Sequence, residues 1–256
     1  MKELLTLVIN LDRATERRAR ITKQLFDLSM PWTRLPAIDA HQLSEAQRAT
    51  LDTPAYHRKH GMATLLGELG CYLSHLEAMR VFLASSASYA LIFEDDVLTG
   101  PQLPAVLRSL IEHPNRWDMV KLSAVHSGTP VSVLRLTETH SLCVMLSRCT
   151  GSSAYLINRR AAEAYVTGLL PMSVPYDHAV DQGWRWELKV RLVTPQPCLH
   201  DQEITTTIVG DPNQPPRKFH WTRRLSTYTY RLGNEMRRLQ YGLRELWRER
   251  RASPTP

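Results

Sequence analysis

The chain has 256 residues, 43% of them apolar and 22% charged, with a formal net charge of +7. That composition supplies a sizeable core in one large domain or two small ones, and it excludes a disordered or collagen-like chain. No apolar run reaches the length of a membrane span, and four cysteines without a CxxC or paired metal spacing exclude a thiolate zinc site and a disulfide framework.

The charge is unevenly placed. Residues 217–251 hold eleven Lys/Arg and three Glu, a net of +8, which leaves −1 for all the rest. Cys71, Cys143, Cys149 and Cys198 read as free thiols of a reducing compartment. The start, Met1 to Leu5, is too short an apolar run for a signal peptide, so a cytoplasmic location is expected.

Residues 4–11, LLTLVINL, predict a buried strand. A helix follows, with Ala14, Ile21, Leu25 and Leu28 on one face and Pro31 as its stop. A second strand over 32–38 completes a βαβ opening, the usual start of a nucleotide-binding α/β domain. Neither GxGxxG nor GxxxxGK[ST] is present, so the site is not of the dinucleotide or Walker type. Residues 41–63 are polar and poorly patterned, and predict a short helix within a surface excursion. His41, His57 and His60 on it read as surface residues.

Leu65, Leu69, Leu73, Leu76, Met79 and Leu83 then recur at helical spacing. Glu68, Cys71 and His75 lie on a neighbouring face. From spacing alone, Ser74 and His75 read as a buried polar pair satisfied locally.

The centre of the chain is Ala90-Leu91-Ile92-Phe93-Glu94-Asp95-Asp96-Val97. Four apolar residues are too few for a buried helix and suit a strand covered on both faces. Three carboxylates leave that strand at the edge where open α/β sheets bind ligands. Side by side they repel, and burying one unpaired costs several kcal/mol or makes it protonate. A divalent cation resolves the conflict, and oxygen-only ligands favour Mg2+ or Mn2+. A solvated acidic turn accounts for the charges equally well.

A helix is expected near 102–112 and a strand over 117–122, with Lys121 inside it pointing at an anion or at water. Residues 131–136 and 142–147 resemble a hairpin, 151–157 a further strand, and 159–170 a helix. Pro175 opens another helix, on which Asp177 and Asp181 share a face. Asp177 also reads as an ordinary first-turn acid favoured by the helix dipole. A last strand over 190–194 and a return loop over 195–202 precede the linker-like residues 210–217. In the tail, Leu225, Tyr228, Leu232, Met236, Leu239, Leu243 and Leu246 step by three or four, with Arg223, Arg224, Arg231, Arg237, Arg238, Arg244 and Arg248 between them. That pattern predicts a basic amphipathic helix suited to an anionic membrane, a nucleic acid or a partner helix.

Several of these stretches together resemble glycosyltransferase family 25, the lipooligosaccharide galactosyltransferases and their relatives. They are Val8-Ile9-Asn10-Leu11 with Glu16-Arg17-Arg18, the run from Gly67 to His75, Phe93-Glu94-Asp95-Asp96-Val97, Tyr155-Leu156-Ile157, and Pro175-Tyr176-Asp177. The resemblance covers about residues 5–205. Residues 41–63 and 123–150 depart from the family pattern and are expected to face the acceptor.

The resemblance implies an α/β fold of the GT-A type, a Rossmann-like mixed sheet flanked by helices over 1–210, with a linker and basic amphipathic tail over 211–256. It implies an inverting hexosyltransferase, with galactose expected, that moves sugar from a UDP-sugar to a lipid-linked glycan of lipooligosaccharide or lipopolysaccharide. Mn2+ or Mg2+ is expected on Glu94 and Asp96, which neutralises the leaving diphosphate. Asn10, Arg13, Arg17, His75, Asp95, Lys121 and Gln202 are the expected donor contacts. Asp177 is the candidate base, with Asp181 as rival. The tail is expected to dock on the anionic inner face of a bacterial inner membrane, with no nucleic-acid partner. Two other classes stay open at this stage: a nucleic-acid-binding protein using the tail, which salt-sensitive retention on DNA would reveal, and a metal-dependent nucleotidyltransferase or hydrolase.

Overall fold

The computed structural model describes residues 3–201 and 218–252. In chain order the elements begin with β1 (Leu4–Asn10), α1 (Thr15–Asp27), β2 (Thr33–Pro36), α2 (Glu45–Arg48), α3 (Thr53–His60) and α4 (Leu66–Ala84). The middle runs through β3 (Tyr89–Glu94), β4 (Val97–Thr99), α5 (Leu103–Glu112), β5 (Met119–Lys121), β6 (Pro130–Arg135), β7 (Ser141–Met145) and β8 (Ala154–Asn158). It ends with α6 (Arg159–Gly168), α7 (Tyr176–Val180), β9 (Val190–Thr194), β10 (Cys198–His200) and α8 (Leu225–Ala252).

Eight strands form one mixed sheet in the order β2-β1-β3-β8-β5-β9-β7-β6. β1 pairs in parallel with both β2 and β3, while β8 runs antiparallel between β3 and β5. The strand order reverses at β1, so the crevice beyond the ends of β1 and β3 is the topological switch point, where open α/β sheets bind their ligands. β10 pairs antiparallel with β4 and so brings His200 opposite Val97, next to the carboxylates.

The two faces of the sheet are covered by two separate clusters, as alternation along a strand requires. Ala90 and Ile92 of β3 pack with Leu69, Leu76 and Phe82 of α4. Leu91 and Phe93 pack with Ile21 and Leu25 of α1 and with Val106 and Leu107 of α5. Each fully buried Leu, Ile or Phe contributes about 2 kcal/mol. The mixed sheet flanked by helices agrees with the sequence expectation.

The excursion over 41–63 is more ordered than its pattern predicts. Ser44 caps α2 through a reciprocal pair with Gln47, and Asp52 caps α3 through the amide of Ala55. Caps rather than hydrophobic period define these short helices.

α8 has the amphipathic pattern expected of it, and the side it turns to the body is the polar one. Arg238 binds the Asp181 carboxylate at 2.7 Å. The Tyr241 hydroxyl accepts the Val190 amide and donates to the Leu188 carbonyl. Glu245 and Glu249 accept from the fully buried Arg191 at 2.8 and 3.0 Å. Arg224 and Arg238, expected on the exposed basic side, are buried instead. The apolar side faces outward, with Leu232 66%, Met236 56%, Leu239 45% and Leu243 53% exposed. None of the helices in the described residues is long and apolar enough to cross a membrane. All four cysteines are free thiols.

Candidate active site at the switch point

The pleat of β3 sorts the carboxylates. Glu94 follows Ala90 and Ile92 onto the α4 face, and Asp95 falls on the α1 face. Asp95 is held there on two sides. The Asn10 amide donates to it at 2.6 Å and Arg17 sits at 3.2 Å. Asn10 is itself fixed, donating to the Ala14 carbonyl and accepting from Arg34. Burial still holds the Asp95 pKa above the ordinary carboxylate value, against the pull of Asn10 and Arg17.

Asp96 is different. Its Oδ1 is buried with no hydrogen-bond partner among the described residues. Its Oδ2 lies 3.6 Å from His200 Nδ1, and its backbone carbonyl accepts the Asp201 amide. Burial first, then Glu94 and Asp95, push its pKa up to about 7. An orphaned buried oxygen among three carboxylates is the donor set a hard divalent cation fits, so Glu94 and Asp96 suit Mg2+ or Mn2+.

Glu94 meets a fixed imidazole. His75 Nε2 is 3.4 Å from Glu94 Oε1, and Nδ1 is 3.0 Å from the Tyr155 hydroxyl. Tyr176 donates to Tyr155 at 2.9 Å and stacks on the His75 ring, with centroids 4.1 Å apart and the ring planes nearly parallel. With Tyr176 donating to Tyr155, the Tyr155 proton is left for Nδ1, and the imidazole proton points at Glu94. His75 is therefore a bridge between elements rather than the locally satisfied residue its spacing suggests; Ser74 donates locally to the Gly70 carbonyl but also accepts the distant Ile38 amide. Cys71, His75 and Glu94 bring one ligand atom each within 4.8 Å of one another. Burial and the nearby carboxylates Glu94, Asp177 and Asp96 raise the Cys71 thiol well above its usual pKa. Hard cations such as Mg2+ and Mn2+ prefer carboxylate oxygens to a thiol, so the oxygen set is the better match for them.

Asp177 is half-buried and its two oxygens accept the amides of Gly151 and His178, each at 2.9 Å. Gly151 has φ +95°, and a side chain there would meet the Val125 amide at 2.6 Å, so this loop admits only glycine. Burial raises the Asp177 pKa, but the His178 and Lys121 charges and the two amides outweigh it, and the net direction is down. Asp177 is thus held ionised at neutral pH.

Two expected contacts are corrected. Asp181 is 3% exposed, and its carboxylate is taken up by Arg238 and the Cys149 amide, with Lys121 at 3.9 Å. Burial raises its pKa against Lys121 and Arg238, but no face is left open for a substrate. Lys121 is 1% exposed and donates to the Cys149 carbonyl, so it braces this loop instead of reaching a ligand. Arg13 pairs with Asp39 at the surface. Gln202 lies outside the described residues.

Tyr155 and Tyr176 fell inside recognised motifs, but their relay to His75 crosses three elements and leaves no trace in spacing. His200 and Asp201 were visible only as part of a return loop, and pairing of β10 with β4 is what brings them to Asp96.

Residues 4–180 match the sequence profile of glycosyltransferase family 25 (LPS biosynthesis protein). A glycosyltransferase 25 family member of Aedes aegypti is 28% identical over 120 residues, 44% of this chain and 20% of that protein. Procollagen galactosyltransferase 1 of Danio rerio is 25% identical over 164 residues, 61% of this chain and 27% of that protein. The inactive glycosyltransferase 25 family member 3 of Homo sapiens is 29% identical over 123 residues, 45% of this chain and 21% of that protein. The matches thus span about a fifth to a quarter of the length of these relatives. Among solved structures, a glycosyltransferase involved in the glycosylation of the major capsid of PBCV-1 aligns with a TM-score of 0.41 at 7% identity, covering 79% of this chain and 94% of that one.

Proposed function

The chain belongs to glycosyltransferase family 25, and from that premise we propose that it moves a hexose, galactose first among them, from a UDP-sugar to a hydroxyl of a lipid-linked lipooligosaccharide or lipopolysaccharide glycan. The observation that carries this reading is the carboxylate cluster at the switch point, with Asp96 Oδ1 buried and unpartnered. Some relatives are named as inactive; here Glu94, Asp95, Asp96 and Asp177 are all carboxylates in one neighbourhood, since the Cys71 thiol feels Glu94, Asp177 and Asp96 together.

The roles follow from the contacts. Glu94 and Asp96 would hold Mn2+ or Mg2+, which when bound neutralises the diphosphate leaving group. Asn10 and Arg17 fix Asp95 at the donor side of the crevice. His75 holds Glu94 in place through its Nε2 proton. Asp177, ionised and half-buried, takes the proton of the acceptor hydroxyl. The acceptor oxygen bonds to the anomeric carbon as the bond to the UDP oxygen breaks on the opposite side, which inverts that centre.

The outward side of α8 supports docking on an anionic membrane, the inner leaflet of a bacterial inner membrane. Its exposed apolar stripe is flanked by exposed Arg237, Arg244 and Arg251, while Glu245 and Glu249 face the body. A second copy of the same surface would set arginine against arginine, whereas phosphate headgroups complement it.

The test is a panel of UDP-sugars screened for metal-dependent thermal stabilisation, followed by transfer assays on Asp177→Asn. One UDP-hexose should stabilise the protein only with Mn2+ or Mg2+. The variant should keep that stabilisation and lose transfer. No stabilisation by any UDP-sugar with either metal, or wild-type turnover by the variant, refutes the reading.

A further inference from the structure

A cavity of 650 Å³ lies apart from the carboxylate cluster, none of whose residues lines it. Its walls are the end of α3, the loops at 125–128 and 147–148, α7, and the polar side of α8. The volume suits a ligand of one or two sugar units. The charge of its lining is one-sided. Lys59, Arg148 and Arg231 line it together with His126 and His178, and Glu235 is the sole acidic residue on the wall.

Glu235 sits 3.9 Å from Arg238, which is not one of the lining residues. Lys59 donates to the Ser173 hydroxyl and lies over the Tyr230 ring, and Arg231 donates to the His60 carbonyl. Both therefore meet neutral groups. Arg148 has neither ion pair nor hydrogen bond among the described residues. Three cations thus converge on one chamber with a single carboxylate, Glu235, on its wall, and only Lys59 also feels a second acid, Asp52. The cost shows in their titration. Burial first, and then Arg224 and Arg148, lower the Arg231 pKa. Burial likewise lowers that of His178, where Asp177 opposes and Arg148, Lys121 and Arg231 add to it. Charges left in this state stabilise a bound anion strongly, because no internal salt bridge has to be broken to receive it.

We propose that this chamber is an anion-binding acceptor subsite that takes a phosphate ester on the acceptor glycan, with Arg148 and Arg231 as its phosphate contacts and Lys59 beside them. The word acceptor rests on the transferase reading above; the anion site does not. His178 joins the two places, since its ring faces the chamber and its amide holds the Asp177 carboxylate. A phosphate on Arg148 therefore sets the neighbouring sugar against the base.

The test uses full-length protein at low ionic strength and calorimetry with three probes: glucose 6-phosphate, glucose and inorganic phosphate. Glucose 6-phosphate should bind about tenfold or more tightly than either of the others. Arg148→Gln leaves no partner orphaned, so the variant should fold normally, and it should weaken glucose 6-phosphate about tenfold, the worth of one charge-assisted hydrogen bond. Arg231→Gln provides the second reading from the opposite wall. Saturating UDP should not displace the probe, because no residue of the carboxylate cluster lines the chamber. Binding unchanged in both variants, displacement by UDP, or inorganic phosphate binding as tightly as the sugar phosphate each overturns the proposal. The outcome is separable from the transferase reading: a protein that transfers from no UDP-sugar would still show this binding, and one that transfers to neutral acceptors alone would lack it.

Discussion

Asp96→Asn tests the carboxylate cluster without any assumption about the sugar. The Asp96 pKa rises from 3.8 to about 7 in the fold, a shift of about three units, or about 4 kcal/mol at 1.36 kcal/mol per unit. The sign follows from proton counts. Between those two values the folded state holds a proton that the unfolded chain has released, so stability falls as pH rises. The group costs little below about pH 4, and nearly its full penalty is present above pH 7. Asparagine removes the titration but keeps the shape, and its new amide protons cost about 1–3 kcal/mol if unpaired. That second cost is independent of pH and cancels in a comparison across pH. In urea unfolding without metal, the variant should therefore gain about 2–3 kcal/mol relative to the parent between pH 5 and pH 8. At pH 8, Mn2+ should raise the parent's midpoint, because a cation replaces the missing partner of Oδ1, and should leave the variant's nearly unchanged. Parallel pH profiles for the two proteins, or equal stabilisation of both by Mn2+, would refute the account of Asp96.

Two further predictions concern α8. Arg191→Leu removes the cation that Glu245 and Glu249 share but leaves Arg248 on Glu245 and Arg116 on Glu249, so it should cost about 3 kcal/mol in urea unfolding, the low end for a broken buried pair; adding Glu245→Leu should recover part of it, and no recovery would show that the loss is of packing alone. Leu232→Ser with Leu239→Ser and Leu243→Ser should abolish flotation with anionic liposomes at little cost in thermal stability, since about half or more of each residue is exposed; flotation equal to the parent's would rule out docking through this stripe.

What was legible in the sequence was what is local. β1, α1, α4 and β3 each announce themselves by period, and the alternation in ALIFED already assigns Glu94 and Asp95 to opposite faces. The roles of Lys121 and Asp181 were not legible, because their partners come from elsewhere: Arg238 lies 57 residues beyond Asp181. A periodic stripe in the tail shows that a helix has two sides, but not which one faces the body. The burial rule favours the apolar side, and here buried ion pairs overrule it. A hint was present in β9, where Arg191 interrupts an apolar strand and calls for carboxylates, and in Glu245 and Glu249, spaced four apart on an otherwise basic helix. His75 was singled out by its motif, while its tyrosine partners come from β8 and α7 and could be joined to it only in space.

Arg191 has a consequence for the order in which the molecule is assembled. It lies in β9, between β5 and β7, with no exposure to water. Its carboxylates arrive 54 and 58 residues later in the chain. On a ribosome the whole sheet emerges before they do, so the nascent body waits with a cation inside it and Asp181 without Arg238. Docking of α8 is the step that closes the interior. The same step builds one wall of the cationic chamber and turns the leucine stripe outward. A chain that has not finished folding therefore has neither a complete chamber nor its leucine stripe in place, so a partner that reads either one reads only the finished fold.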